Sequence, residues 1–417
     1  MKVQNLRLES LQGASRVAAT VIWEDSERPT QEICFSTPEE YTDFLYPNAD
    51  SYLVGCILPA IEHGEQRIKL DGAVCPELIE GIRIAVEWFN YWYRLNWKLP
   101  KIESEIRSEP LAHTAPRNAG SFLSGGVDSL ALLRSNHLTY PETHPRFIKH
   151  CVLVYGFGMG GQQEHYARQT EAFGEILEGL GKVARDAKVT LVPIDTNIRH
   201  LEDNLRFWNH VFHSAFLASV AHLLVPLVHT MSIAAGATIS NIPPWGSHPL
   251  IDPNYSSAGL KIRHDGVTYS RLDKIKLVGE WDAALKNLHV CWHIYKAMRI
   301  SPKVLNCGTC AKCVRTMAEF QAAGLPKNIG VFPDINISKQ LLSEAMHGIN
   351  PVGERFYREL IMPFKSQGRD DLVRTIKNGI WTSKIKRMIK RLFPSFFNPP
   401  WRSRWRLWRT RSLSRNN

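Results

Sequence analysis

From Gly120 to Ala237 the chain alternates short apolar runs with longer segments of helical period. This alternation restricts the fold more than any other feature. GSFLS is a short strand, followed by a Gly-Gly turn and a helix from about Asp128 to His137. FIKHCVLVYGF (147–157), VTLVPIDT (189–196) and HTMSIAAGA (229–237) read as buried strands. Between them, QQEHYARQTEAFGEILEGLGKVARDA (162–187) and WNHVFHSAFLASVAHLLV (208–225) read as helices. The expected class is α/β, a parallel sheet with helices on both faces. In open sheets of this kind ligands sit at the carboxyl ends of the strands.

The segment before it has a different pattern. VQNLRLESL, SRVAATVIW and EICFST are strand-like, and Pro76 to Trp97 has apolar residues at helical spacing. KLPKIESEIRSEPLAHTAPRNAG (98–120) is polar and proline-containing, and reads as a linker. The expected organisation is an N-terminal α+β domain over 1–110 and a loop-bearing domain over 111–330. A helical segment over 331–380 and a basic aromatic tail over 381–417 complete it.

The 417 residues carry a formal charge of +11, which suggests nucleic acid until the charge is located. Trp381 to Asn417 contains 11 basic residues and no acidic one, leaving 40 of each sign in residues 1–380. Charge steering therefore belongs to the tail. Phe207 to Ile251 has no charged residue, but prolines and histidines interrupt it, so a helix and a buried strand explain it better than a membrane span. MKVQNLRLES has no apolar signal region, and a cytoplasmic location is expected.

Ser124-Gly125-Gly126-Val127-Asp128-Ser129 has the makings of an anion-binding loop. Two glycines after a strand let the backbone turn sharply, and the helix opened by Asp128 and Ser129 adds amide donors and a favourable dipole. Ser124 and Ser129 add hydroxyls. A plain Gly-Gly turn with a capping Asp is the bland alternative. No G-x-x-x-x-G-K-[ST] occurs, so this is not a Walker loop. S-G-G-V-D-S between a strand and a helix, with further strand–helix units behind it, resembles the PP-loop of the N-type ATP pyrophosphatases. The resemblance implies ATP cleaved between its α and β phosphates, with Mg²⁺ accompanying them and Asp128 a candidate to position it. It also implies adenine over the ends of the first two strands, where Tyr155-Gly156-Phe157-Gly158-Met159-Gly160-Gly161 lies. Those glycines suit either close approach of a ligand or a flexible turn.

Cys307-Gly308-Thr309-Cys310-Ala311-Lys312-Cys313 sets three thiols at C-x₂-C-x₂-C, with Cys291 upstream. Four thiolates close a tetrahedral Zn²⁺ site. Cys291 could instead be a core cysteine, with His289 or His293 as the fourth ligand, and an iron–sulfur cluster is the other metal reading. Cys34, Cys56, Cys75 and Cys151 read as core residues. A PP-loop domain with SGGVDS, then CGTCAKC with Arg315 following, resembles the 7-cyano-7-deazaguanine synthases over roughly residues 118–325. That family adenylates 7-carboxy-7-deazaguanine and forms first an amide, then a nitrile. This chain departs from it in its N-terminal segment, in the long gap from Cys291 to Cys307 and in the sequence VRTMAEFQAAGL after the knuckle. Larger relatives that pass an acyl adenylate to another amine, even one on a protein, fit those departures better.

Trp245, His248 and Asp252 lie in a proline-rigid loop that suits a substrate pocket. Arg271 and Lys274 can neutralise a carboxylate or the phosphorus of adenylation, although Ser270 to Lys274 also reads as an ordinary capped helix start. His210 and His213, one helical turn apart, read as core or interface residues before metal ligands. The expected activity is ATP-dependent ligation of a 7-deazaguanine-type carboxylate, with ATP, Mg²⁺ and Zn²⁺. The alternatives are a tRNA-thiolating or lysidine-type enzyme and a non-catalytic ATP-sensing subunit. The tail, with Ile385, Met388, Ile389 and Leu392 on one helical face among basic residues and Trp401, Trp405 and Trp408 beyond, suits a membrane surface, RNA or a partner protein.

Overall fold

The structure is a computed structural model that describes residues 1–108, 117–157, 166–291, 293, 305–325, 330–333 and 336–392. The chain divides into two compact units, Met1–Cys307 with Asn328–Pro333 and Gly308–Lys327 with Asp334–Asn417.

The first unit is built on one ten-stranded sheet. Its strands are β1 (Lys2–Leu11), β2 (Ala14–Ile22), β3 (Gln31–Pro38), β4 (Arg67–Val74), β5 (Lys101–Ile106), β6 (Asn118–Phe122), β7 (Ile148–Tyr155), β8 (Thr190–Thr196), β9 (Val228–Ala234) and β10 (Lys261–Asp265). They lie in the order β10-β9-β6-β7-β8-β3-β2-β1-β4-β5. β10, β9, β6, β7 and β8 are mutually parallel, as the alternation predicts. β8–β3, β3–β2 and β2–β1 are antiparallel, and β1–β4 and β4–β5 are again parallel.

Residues 1–110 and 111–330, read from the sequence as two domains, thus share a sheet. The join is a short antiparallel pairing, Phe35 opposite Thr196 and Ser36 opposite Asp195. Backbone groups make that join, so no side-chain pattern announces it. The expected linker also differs, because Lys101–Ile106 within it pairs with β4 as an edge strand.

Helices α1 (Ala49–Glu62), α2 (Pro76–Tyr93), α3 (Val127–Thr139), α4 (Tyr166–Ala187), α5 (His213–Leu223) and α6 (Arg271–Gly279) flank the sheet. Asn48 caps α1 by accepting from the Asp50 amide at 3.1 Å, and a proline opens α2 where its missing N–H costs nothing. α1 is buried from Ala49 to Ile61, so it is a core helix with no polar face. It shares one hydrophobic core with α2, α5 and the inward residues of β2, β3, β8 and β9, including Val17, Phe35, Tyr52, Phe89, Val192, Phe216 and Met231. Cys56 and Cys151 sit in this unit as buried thiols, and burial pushes both up to about 12.

The second unit is helical: α7 (Ala311–Ala322), α8 (Lys339–Ala345), α9 (Pro351–Glu359), α10 (Ile361–Ser366) and α11 (Asp370–Leu392). Leu342, Phe364, Leu372 and Ile376 are fully buried there. Among the described residues no helix is long and apolar enough to cross a membrane.

Candidate functional site

β6 has β7 on one side and β9 on the other, and the chain builds outward from β6 in both directions. That reversal is a topological switch point, where the connections leaving neighbouring strands diverge and open a crevice at their carboxyl ends. Ser124 to Ser129 occupies this position. Gly125 has φ +76°, a left-handed conformation that glycine adopts without steric cost. Gly126 is the N-cap of α3 and has no side chain, so it offers the first-turn amides of α3 no side-chain acceptor. The Ser129 hydroxyl accepts from the Ser124 amide at 3.2 Å and donates to the Gly126 carbonyl at 3.0 Å. Ser124 Oγ in turn accepts from the Gly126 amide at 3.4 Å. The His289 amide donates to the Gly125 carbonyl at 2.9 Å and ties the loop to the segment leading to Cys291.

Arg271 and Lys274 reach the same place from α6. Ser270 and Asp273 form a complete capping box, and residues one turn apart on the helix it starts share a face. The capped-helix reading therefore holds, and the same helix start brings both cations to one carboxylate. Arg271 Nη1 donates to Asp128 Oδ2 at 3.0 Å, and Lys274 Nζ to Asp128 Oδ1 at 3.1 Å. Lys274 also donates to the carbonyl of Ala235, just past the end of β9. The Arg271 and Lys274 side chains are only 5% and 3% exposed, whereas Asp128 is 33% exposed. Burying two cations requires a partner, and the partly exposed Asp128 supplies one. The three groups together carry one net positive charge beside the loop amides, which suits an anion with more than one negative charge.

Tyr155 and Gly156 end β7. Tyr155 is buried, its ring 5.0 Å from that of Phe173. Gly156 has φ +97°, and a Cβ there would stand 2.1 Å from the Thr196 carbonyl oxygen. The close approach that demands this glycine is thus made by the end of β8. Gly158, Met159, Gly160 and Gly161 lie outside the described residues.

The proline-rigid loop departs from expectation. Asp252 is fully buried and its oxygens accept from the His248 amide at 2.9 Å, Ser247 Oγ at 2.8 Å and His264 Nδ1 at 2.8 Å. It fastens the loop to β10 and does not face a substrate. His248 packs on the ring of Trp92 at 4.8 Å, and Trp245 on His210 at 4.9 Å. His213 packs on Phe157 at 4.7 Å, and both histidines are half-buried against aromatic rings, as a core or interface role requires.

Cys291, Cys307, Cys310 and Cys313 place their four sulfurs within 4.8 Å of one another. A tetrahedral ion with Zn–S bonds of about 2.3 Å separates its sulfurs by about 3.8 Å, so this donor set can hold a metal ion. The Cys291 sulfur accepts from the amides of His293 (3.1 Å) and Cys307 (3.5 Å), and Cys310 Sγ from that of Cys313 (3.5 Å). Amide donors of this kind stabilise thiolate charge. Asn306, fully buried, escaped the sequence reading. Its side chain bonds the Val290 amide at 2.9 Å and the carbonyls of Leu288 and Val331 at 2.8 and 3.0 Å, fixing the approach to the knuckle. No composition signal marks one asparagine among many. Arg315 lies on α7 against Glu319 at 3.4 Å and over the Phe356 ring at 4.6 Å.

Comparison of the chain with protein-family models, curated proteins and solved structures found no match.

Proposed function

We propose that this chain is an ATP-dependent ligase that adenylates a carboxylate, releases pyrophosphate and passes the acyl group to an amine or ammonia. The observation that carries the reading is the convergence of two buried cations on Asp128 beside the S-G-G-V-D-S loop at the switch point. A carboxylate oxygen attacks the α phosphorus, the bond to the β-phosphate oxygen breaks, and pyrophosphate leaves. Arg271 and Lys274, held within reach of the loop, offset the charge that gathers on the phosphorus oxygens, and the α3 amides hold the leaving phosphates. Ammonia or an amine then attacks the acyl carbon, loses a proton and expels AMP. A second ATP would activate an amide oxygen for loss, leaving a nitrile.

The residues fit the nucleotide better than its magnesium. Both oxygens of Asp128 are engaged by cations, so its role is to hold Arg271 and Lys274 in place, and no step is assigned to a metal there. The four cysteines would hold Zn²⁺, which supplies a structural cross-link and no chemistry. The substrate class, a 7-deazaguanine-type carboxylate, rests on resemblance to the 7-cyano-7-deazaguanine synthases in SGGVDS and CGTCAKC.

Pyrophosphate release from ATP, measured with 7-carboxy-7-deazaguanine, with bulk tRNA and with neither, tests this reading. Release with the heterocycle and about one zinc per chain is the expected result. Release only with tRNA would replace the substrate class, and no release in any arm would sink the enzymatic reading.

A further inference from the structure

The basic segment at the end of the described chain is absorbed by none of the chemistry above. α11 starts as an ordinary packed helix. Leu372 and Ile376 are fully buried, and Val373, Ile380 and Ser383 nearly so. Arg387 closes this inward face, donating to Glu354 at 2.7 Å and to the Ile349 carbonyl at 3.0 Å. Lys384 also approaches Glu354, at 3.8 Å.

A second apolar stripe runs along the same helix. Trp381, Met388, Ile389 and Leu392 are 65%, 56%, 38% and 63% exposed, with half-buried Ile385 between them. At about 100° per residue this stripe centres about 150° round the helix from the inward face of Ile376, Ile380, Ser383 and Arg387. It is therefore turned away from the packing that anchors α11. Four large apolar side chains facing water on three successive turns are costly, unlike a single exposed leucine.

Charge identifies the occupant. From Trp381 to Asn417 the chain has 11 basic residues and no acidic one, while the remainder is balanced. Beyond Leu392 come Phe396, Phe397, Trp401, Trp405 and Trp408 among six arginines. An apolar stripe that includes tryptophan, bordered by cations, matches the boundary between acyl chains and anionic headgroups. Single-stranded nucleic acid would use the aromatic and basic residues, but it offers nothing to Met388, Ile389 and Leu392.

We propose that the outer face of α11 docks this protein on an anionic membrane surface, lying in the headgroup layer without spanning it. The inference is independent of the ligase reading, since it uses no residue of the crevice.

The test is co-sedimentation of the full chain with vesicles of phosphatidylcholine alone and of equal parts phosphatidylcholine and phosphatidylserine. Binding is expected on the anionic vesicles, at least about ten-fold weaker on the neutral ones, and weakening as salt rises. Replacing Trp381→Ser, Met388→Ser and Leu392→Ser together leaves every charge in place and removes only exposed side chains. That variant is expected to lose at least about ten-fold in partitioning while its circular dichroism and melting temperature stay unchanged. No binding to anionic vesicles would overturn the proposal. So would undiminished binding by the triple variant, which would reduce the contact to bulk charge, or binding to single-stranded RNA in place of vesicles.

Discussion

Asp50 and Asp128 are both carboxylates that accept from an arginine, yet one closes a network and the other leaves one open. Asp50, at the start of α1, is fully buried. Its oxygens accept from Arg107 Nη1 at 2.9 Å and from the Cys75 amide at 2.8 Å. Arg107 Nη2 donates to the Asn48 side chain at 3.1 Å and to the Ala73 carbonyl at 2.9 Å. One acid faces one base, and the pair ties α1 to the turns after β4 and β5. Asp128 faces two bases, Arg271 and Lys274, and its own side chain reaches solvent. A saturated pair among backbone partners is architecture. A partly exposed carboxylate that holds two buried cations leaves one net positive charge beside the loop, the feature on which the proposed ligase reading rests.

The largest effect should come from Asp128→Asn. Pyrophosphate release is expected to fall by at least about 100-fold, because the cations lose the group that orients them. Stability should fall as well, by about 3 kcal/mol, since Arg271 and Lys274 are left buried without their carboxylate. Asp50→Asn should act on stability alone. It leaves Arg107 facing a neutral amide in a buried site, a loss of about 3–5 kcal/mol in urea unfolding, with release per folded molecule unchanged. If Asp50→Asn lowered release per folded molecule as far as Asp128→Asn does, the contrast between closed and open pairs would be wrong.

The glycines at the ends of β6 and β7 sharpen the same contrast. Gly156→Ala combines a left-handed backbone with a clash against the Thr196 carbonyl, and should cost about 3 kcal/mol or more by thermal unfolding. Gly125→Ala carries the same kind of backbone strain, but its nearest neighbour is a Leu180 methyl at 3.4 Å. A loss of about 1–2 kcal/mol is expected there, with a disproportionate loss of pyrophosphate release.

The smallest effect concerns pH. His222, fully buried beside the Asp50 network, is lowered from 6.5 chiefly by burial, and His150 is lowered to about 4 for the same reason. The unfolded chain takes up these protons near pH 6.5 and the folded chain does not. Stability is therefore complete above that pH and declines as pH falls from about 6.5 toward 4. His150, which is partly exposed, accounts for part of the decline. The urea midpoint of His150→Gln should be less sensitive to pH over this range, and an unchanged slope would remove the assignment.

The loop and the cysteine cluster were legible because their chemistry is contiguous. Two glycines after a strand, or three thiols at fixed spacing, dictate local backbone geometry whatever surrounds them. The parallel half of the sheet was legible for a related reason, since buried strands and amphipathic helices leave periods of two and 3.6 in the residues themselves. Asp252 shows the limit. A carboxylate in a proline-rich loop reads the same whether it faces a ligand or turns inward to Ser247 and His264.

By itself, then, the sequence determined the Gly-Gly turn before α3, the four-thiol cluster and the strand–helix alternation, because each follows from dihedral preference, spacing or period within a short stretch. Only the tertiary structure decided three further things: that β3 joins β8 to make one sheet, that Arg271 and Lys274 meet Asp128 across more than 140 residues of chain, and that α11 turns a second apolar stripe outward. The physical reason is that long-range pairing uses backbone hydrogen bonds and charges that many partners could satisfy. Which partner is met depends on the packing of the whole unit.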